Sequence, residues 1–181
     1  MSFQLTPVLL QGKAAAHGLP PLLITALVEQ ESAGDPYAWN PEPRYRYLWD
    51  VKRQAPFRTL TDAERVSEIP PHDFPTLGGD RDQEWWGQQA SWGLLQMMGA
   101  VARERGFRGV YLTELLDPVV NLEYACRHLS WLKSRFYFAY GWGGVIAAYN
   151  AGGPRRTVTG PYENQGYVDQ VLARLPAEYA Q

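Results

Sequence analysis

Seven of the fourteen prolines (Pro36, Pro41, Pro43, Pro56, Pro70, Pro71 and Pro75) fall in one stretch of the chain, and Gly78-Gly79 follows. Proline fixes φ, lacks an amide hydrogen and restricts the residue before it, so long helices and inner strands do not fit there. The 181 residues therefore divide into a front part (1–33), an irregular middle (34–90) and a rear part (91–181). The middle also holds Tyr37, Trp39, Tyr45, Tyr47, Trp49, Phe57 and Phe74. A disordered linker lacks such residues, so residues 41–90 read as an ordered, irregular insertion within a single domain spanning 1–181. Thr61-Asp62-Ala63-Glu64 offers a capping box for one short helix inside it.

The flanks read as helices. Thr6-Pro7 is an N-cap followed by proline at the first helical position, with Gly18 as the stop. Pro20-Pro21 opens a second helix, whose Leu22, Leu23, Ala26, Leu27 and Gln30 fall at helical spacing. The rear part predicts a helix from Trp92 to Arg105 and one from Asp117-Pro118 to about Phe136. It then predicts a short helix from Val145 to Ala151, stopped by Gly152-Gly153-Pro154, and a last one from Tyr167 to Leu175. The fold class is mainly α.

Composition narrows the function. A net charge of −2 leaves no broad basic surface for nucleic acid. No run approaches the roughly 20 apolar residues that cross a bilayer. The N-terminus has no basic region or apolar stretch of the secretory kind, since Leu5 to Leu10 is short and broken by Pro7. The expectation is cytoplasmic synthesis and delivery to the site of action by another route. Cys126 is the single cysteine, which rules out an internal disulfide and suits a buried, inert thiol. His17, His72 and His128 are dispersed and match no metal-ligand spacing. Asp80-x-Asp82-x-Glu84 resembles a calcium loop only briefly, because Trp85 and Ser91 stand where glycine and glutamate are needed. No glycine loop for phosphate is present, so neither metal nor cofactor is expected. Aromatic residues reach 13%, with seven Trp and eleven Tyr; most serve cores, but flat rings also stack on sugar faces.

Glu31 is the candidate for chemistry. It lies one turn beyond Leu27 and Val28, at the C-terminal end of an apolar helix. A carboxylate there meets both desolvation and the negative end of the helix dipole, and both raise its pKa toward that of a general acid. By position alone, it either faces the core side in this way or snorkels to solvent at a fraying helix end. Glu29 points elsewhere, toward solvent.

Three segments bear on this choice. Glu31-Ser32, Gly93-Leu94-Leu95-Gln96 and Ala148-Tyr149-Asn150-Ala151-Gly152 resemble, in order, the signature motifs of the soluble lytic transglycosylase family. Asp117-Pro118-Val119-Val120-Asn121 resembles the family's D-P-x-x-N helix start, and Tyr167-Val168 its late tyrosine. The likeness covers about residues 20–35 and 88–170. It implies a goose-lysozyme-like helical domain acting on peptidoglycan glycan strands. It further implies that Glu31 protonates the oxygen between N-acetylmuramic acid and N-acetylglucosamine, then acts as base on the muramic C6 hydroxyl to close a 1,6-anhydro ring. One carboxyl suffices if the substrate's N-acetyl group stabilises the cation. By the same resemblance Tyr149 orients the Glu31 carboxyl, Leu95 and Gln96 line sugar subsites, and Asn150 supports the site. Ser32 fixes the glutamate or the muramoyl side, and Tyr167 adds a contact. A monomer is expected.

The insertion departs from the family pattern. It is either a groove wall, with Trp49, Trp85 or Trp86 stacking on sugars, or a packed structural addition. Its Asp50, Asp73, Asp80, Asp82 and Glu84 are candidates to hold a water, which would make the enzyme a hydrolysing muramidase. A catalytically inactive glycan-binding or structural virion protein is the alternative of another class.

Overall fold

The computed structural model describes residues 6–180, which form seven α-helices, five short strands and two 3-10 turns. They fall into two compact units: residues 6–34 with 126–180, and residues 35–125.

The first unit is helical. Helix α1 (Pro7–Ala16) starts at Thr6, whose side chain accepts from the Leu9 amide, and ends in the left-handed turn of Gly18. Helix α2 (Pro21–Ser32) buries Leu23, Ala26 and Leu27 of the stripe expected from spacing, with Ile24 and Val28 beside them, whereas Leu22 is exposed and Gln30 only half-buried. Past a left-handed Ala33 the chain leaves through Gly34.

The two rear helices expected before Gly152 are one element, α6 (Pro118–Ala151), broken only at Gly141, where φ is 58° and ψ is −162°. Only glycine adopts that conformation without strain, so Gly141 divides the helix where its sequence pattern lapses. Leu129, Leu132, Val145, Ile146 and Ala148 are buried along it, as is the Cys126 thiol. Helix α7 (Gln165–Leu172) packs against α2 and starts two residues earlier than its spacing suggests.

The second unit holds the strands, which the sequence does not reveal because each is only two or three residues long. Strands β1 (Trp39–Pro41), β4 (Ala90–Trp92) and β5 (Met97–Met98) form an antiparallel sheet in that order, with Trp39 opposite Trp92. Strands β2 (Trp49–Asp50) and β3 (Ala55–Pro56) form a separate hairpin.

The helix expected from Trp92 to Arg105 is corrected here. Its first half is the β4–β5 hairpin, and only Gly99–Glu104 (α5) is helical. The cause lies in the turn between the strands, where Gly93 and Gln96 both take positive φ, 67° and 43°. A Cβ on Gly93 would lie 2.6 Å from the Asn121 side chain and 2.7 Å from the Leu115 carbonyl oxygen.

The insertion is more regular than its prolines suggest. Besides α3 (Asp62–Val66), capped by the expected Thr61–Glu64 box, it contains α4 (Arg81–Gln88), capped by Asp80. It has its own apolar cluster of Leu48, Phe57, Leu60, Phe74 and Trp85, in which Phe57, Phe74 and Trp85 meet edge to face. Beneath α4, the Glu84 carboxylate receives two hydrogen bonds from Arg103, at 2.9 and 2.6 Å, and one from Gln88 at 2.8 Å. Arg103 also donates to the carbonyls of Phe107 and Gly109. Both members of the pair are buried, so every donor and acceptor must be matched.

These environments predict opposite signs for two glycine substitutions. Gly93→Ala costs about 2 kcal/mol or more, from left-handed strain plus the collision with Asn121. Gly12→Ala, inside α1 with open space around it, gains about 0.5–1 kcal/mol from helix propensity. Glu84→Gln leaves a buried guanidinium without its counter-charge and costs about 3–5 kcal/mol. Urea denaturation of the three variants checks all of these values.

Candidate active site

In the first unit, Glu31 occupies the last turn of α2, half-buried, while its neighbour Glu29 is exposed. The Tyr167 hydroxyl, carried by α7, donates a hydrogen bond to Glu31 Oε1. Gln30 Nε2, one residue before Glu31, donates to Oε1 of Gln170, nearly one turn beyond Tyr167, at 2.8 Å. Tyr167 and Gln170 are three residues apart and share one face of α7, so these two bonds pin the end of α2 to it.

Burial raises the Glu31 pKa above the ordinary 4.5, and the Tyr167 hydrogen bond opposes that rise in part. Burial, followed by the charge on Glu31, pushes the Tyr167 phenol above its usual range. Tyr149 is pushed well up by the same two causes in the same order, with Cys126 contributing last. Both phenols are therefore neutral, and Tyr167 has its proton to donate, wherever Glu31 titrates. The resemblance gave Tyr149 the orienting role. Tyr167 donates a hydrogen bond to the carboxyl, and Tyr149 lies close enough to feel its charge. His128 sits beside Tyr149, with ring centroids 5.8 Å apart.

The other expected residues of this unit do local work. The Ser32 hydroxyl donates to the Val28 carbonyl at 3.2 Å and accepts from the Gly34 amide at 3.2 Å, closing the helix end next to Glu31. Asn150 Oδ1 accepts from Asn164 Nδ2 at 2.9 Å, and the same amide group donates to the Ala147 carbonyl. Asn164 is the residue that starts α7, so this contact ties the end of α6 to the helix bearing Tyr167.

In the second unit, the turn between β4 and β5 carries Leu95 and Gln96. The Leu95 side chain is fully buried, and its amide donates to Asn121 Oδ1 at 3.0 Å. The Gln96 carboxamide is committed to the protein: its nitrogen donates to the Ala38 and Gly93 carbonyls, and its oxygen accepts from the Ser91 hydroxyl. Sequence reading places Asn121 in a helix start without assigning it a task. Its buried amide donates to the Trp92 and Leu115 carbonyls and accepts from Leu95, so it sets the shape of the whole turn.

Of the insertion's acids, Asp50 accepts the Lys52 and Arg53 amides, Asp80 caps α4, and Asp73 shares Arg58 with Glu64. Arg58 holds the Glu64 carboxyl down to about 2. Together with the Glu84–Arg103 pair, these bonds engage four of the five acids considered as water holders; Asp82 lies exposed in the first turn of α4. Among the described residues, no three His, Cys, Asp or Glu side chains gather as metal ligands, and no helix is long and apolar enough to cross a membrane.

The model of the transglycosylase SLT domain matches residues 9–166, well over half of the chain. The chain belongs to the soluble lytic transglycosylase family. A comparison with curated proteins finds no match. Membership accounts for the mainly helical, lysozyme-like architecture and gives the SLT domain its general activity, lysis of peptidoglycan.

The raised Glu31 pKa fixes the sign of a stability effect in this SLT domain. Between the unfolded value near 4.5 and the higher native value, the folded state binds more protons than the unfolded one. Stability attributable to Glu31 is therefore greatest below that window and is lost as pH rises through it. Glu31→Gln removes this slope. The variant melts above the parent at neutral pH, and the difference shrinks as the pH falls toward 4.5, as measured by calorimetry across that range.

Proposed function

We propose that this chain is a lytic transglycosylase that cleaves the β-1,4 bond from N-acetylmuramic acid to N-acetylglucosamine and leaves a 1,6-anhydro end. The observation that carries the reading is the Glu31 carboxyl, shielded enough to favour its proton and held by a neutral phenol. Residues 1–181 act as one catalytic domain, with residues 41–90 as an insertion.

Glu31 begins protonated. Its proton passes to the bridging oxygen as the muramic C1–O bond breaks, and the substrate's N-acetyl oxygen bonds C1 and spreads the positive charge over the resulting ring. The C6 hydroxyl then attacks C1, the C1–N-acetyl bond opens, and the Glu31 carboxylate accepts the hydroxyl proton. The acid is thereby regenerated without water. Tyr167 orients the carboxyl and stabilises it once ionised; Tyr149 packs beside it and keeps the surroundings dry. Ser32 and Asn150 hold the elements that carry these groups. In the second unit, the turn bearing Leu95 and Gln96 serves the glycan as a shaped backbone, with Asn121 as its positioning residue.

A general acid of this kind contributes about 10²–10⁴-fold, so Glu31→Gln lowers kcat on purified peptidoglycan by that factor with folding intact. Mass spectrometry of the digest yields anhydro-muropeptides. Reducing ends would instead identify a muramidase, and unchanged lysis by Glu31→Gln would remove Glu31 from the chemistry. Tyr167→Phe loses a hydrogen bond to an ionising group and lowers kcat by about 10–100-fold. It also lets the Glu31 pKa rise further, so activity persists to higher pH in the variant than in the parent; the pH profile of lysis shows the shift.

A further inference from the structure

The second unit contains a cleft of about 460 Å³. This size lies within the roughly 300–1,000 Å³ of small-ligand sites. Trp39 and Trp92, paired across β1 and β4, form one side, with ring centroids 6.1 Å apart and planes 45° apart. Trp86 and Gln83, three residues apart on α4, form another, and Tyr111, just before the 3-10 turn Leu112–Leu116, joins Thr113 within it in the lining. A side chain at Gly87 would reach 2.7 Å from a Leu112 methyl. The glycine thus lets α4 close down on that turn and make the floor.

Three features define the occupant. First, Trp39, Trp86 and Tyr111 keep 56%, 41% and 47% of their surface exposed, although burying such rings is the usual course. Second, Trp92 is buried and spends its polar edge on the Gly87 carbonyl at 2.9 Å, so it is a fixed backing for the exposed Trp39 ring. Third, every lining residue is uncharged, and Gln83, Thr113 and Tyr111 add neutral hydrogen-bonding groups among the rings. Flat apolar faces interleaved with neutral polar groups match a pyranose ring, with its C–H faces and equatorial hydroxyls. The absence of a lining charge gives no purchase on a carboxylate, which disfavours the lactyl-bearing muramic sugar and the stem peptides.

We propose that this cleft binds N-acetylglucosamine units of the glycan strand, as a carbohydrate site that the insertion helix α4 builds. The choice of strand rests on the peptidoglycan reading above; the sugar chemistry rests on the cleft itself. Trp85, one residue before Trp86, is buried in the insertion's core and takes no part, while Trp86 does.

The test uses the full chain carrying Glu31→Gln, titrated with the uncharged trimer of N-acetylglucosamine and, separately, with free stem peptide. Of the seven Trp indoles, those of Trp39, Trp86 and Trp92 shift in ¹H–¹⁵N spectra with the trimer and not with the peptide. Trp86→Ala and Trp39→Ala each weaken trimer binding about tenfold or more, whereas Phe138→Ala, at a fully exposed ring elsewhere, leaves it unchanged. Shifts at other indoles only, shifts with the peptide only, or unaltered affinity in both Trp variants overturns the proposal. The spectra of the unmutated cleft give the answer even if a Trp variant misfolds. Unchanged lysis by Glu31→Gln would sink the catalytic reading and leave this binding result standing.

Discussion

A carboxyl group taken out of water has two ways to be tolerated: keep its proton, or find donors for the charge. Glu31 is held between them. Its place at the end of an apolar helix removes water and favours the acid form, while the Tyr167 hydroxyl is ready to receive the anion. Either influence alone would spoil the group, as a permanently neutral acid or a permanently ionised one. Much of the first unit serves this balance. Helix α2 buries its stripe and brings Glu31 to the boundary, α7 presents the phenol, and the Gln30–Gln170 and Asn150–Asn164 bonds fix where α7 begins and lies.

The second unit relies on a different device, a buried side-chain amide that replaces backbone pairing. Asn121 satisfies two carbonyls and one amide around a turn that no regular ladder could close. This explains why the turn tolerates a left-handed Gln96, a conformation that costs energy for any residue with a Cβ. The strain is held in place because the carboxamide of the same residue is bound on both sides.

The sequence was legible where one physical signal dominated. The stripe of α2, the Thr6 and Thr61 caps and the glycine stops at Gly18 and Gly152 all express local rules, and the structure follows them. Short strands failed to register because two or three residues carry no periodicity; Ala90 to Met98 reads as helical until the positive φ of Gly93 and Gln96 is known. Helix α4 was hidden by its proline-rich surroundings, although Asp80 capped it in plain view. Glu31 and the two tyrosines could be picked out from motifs. That Tyr167 bonds the carboxyl could not, since that depends on how α7 lies against α2. The buried pairing of Glu84 with Arg103 spans nineteen positions and has no sequence signature.

That pairing sets how the insertion responds to its surroundings. A bacterial wall is a polyelectrolyte gel whose ionic strength varies widely, and mobile ions weaken attractions between charges that they can approach. The exposed Arg58–Glu64–Asp73 group is open to such screening, whereas Glu84 and Arg103 exclude counter-ions along with water. The anchor of α4 is therefore insulated from the medium in which peptidoglycan is degraded. Because the desolvation penalty of charged groups falls as temperature rises, that anchor also fares comparatively better with heating.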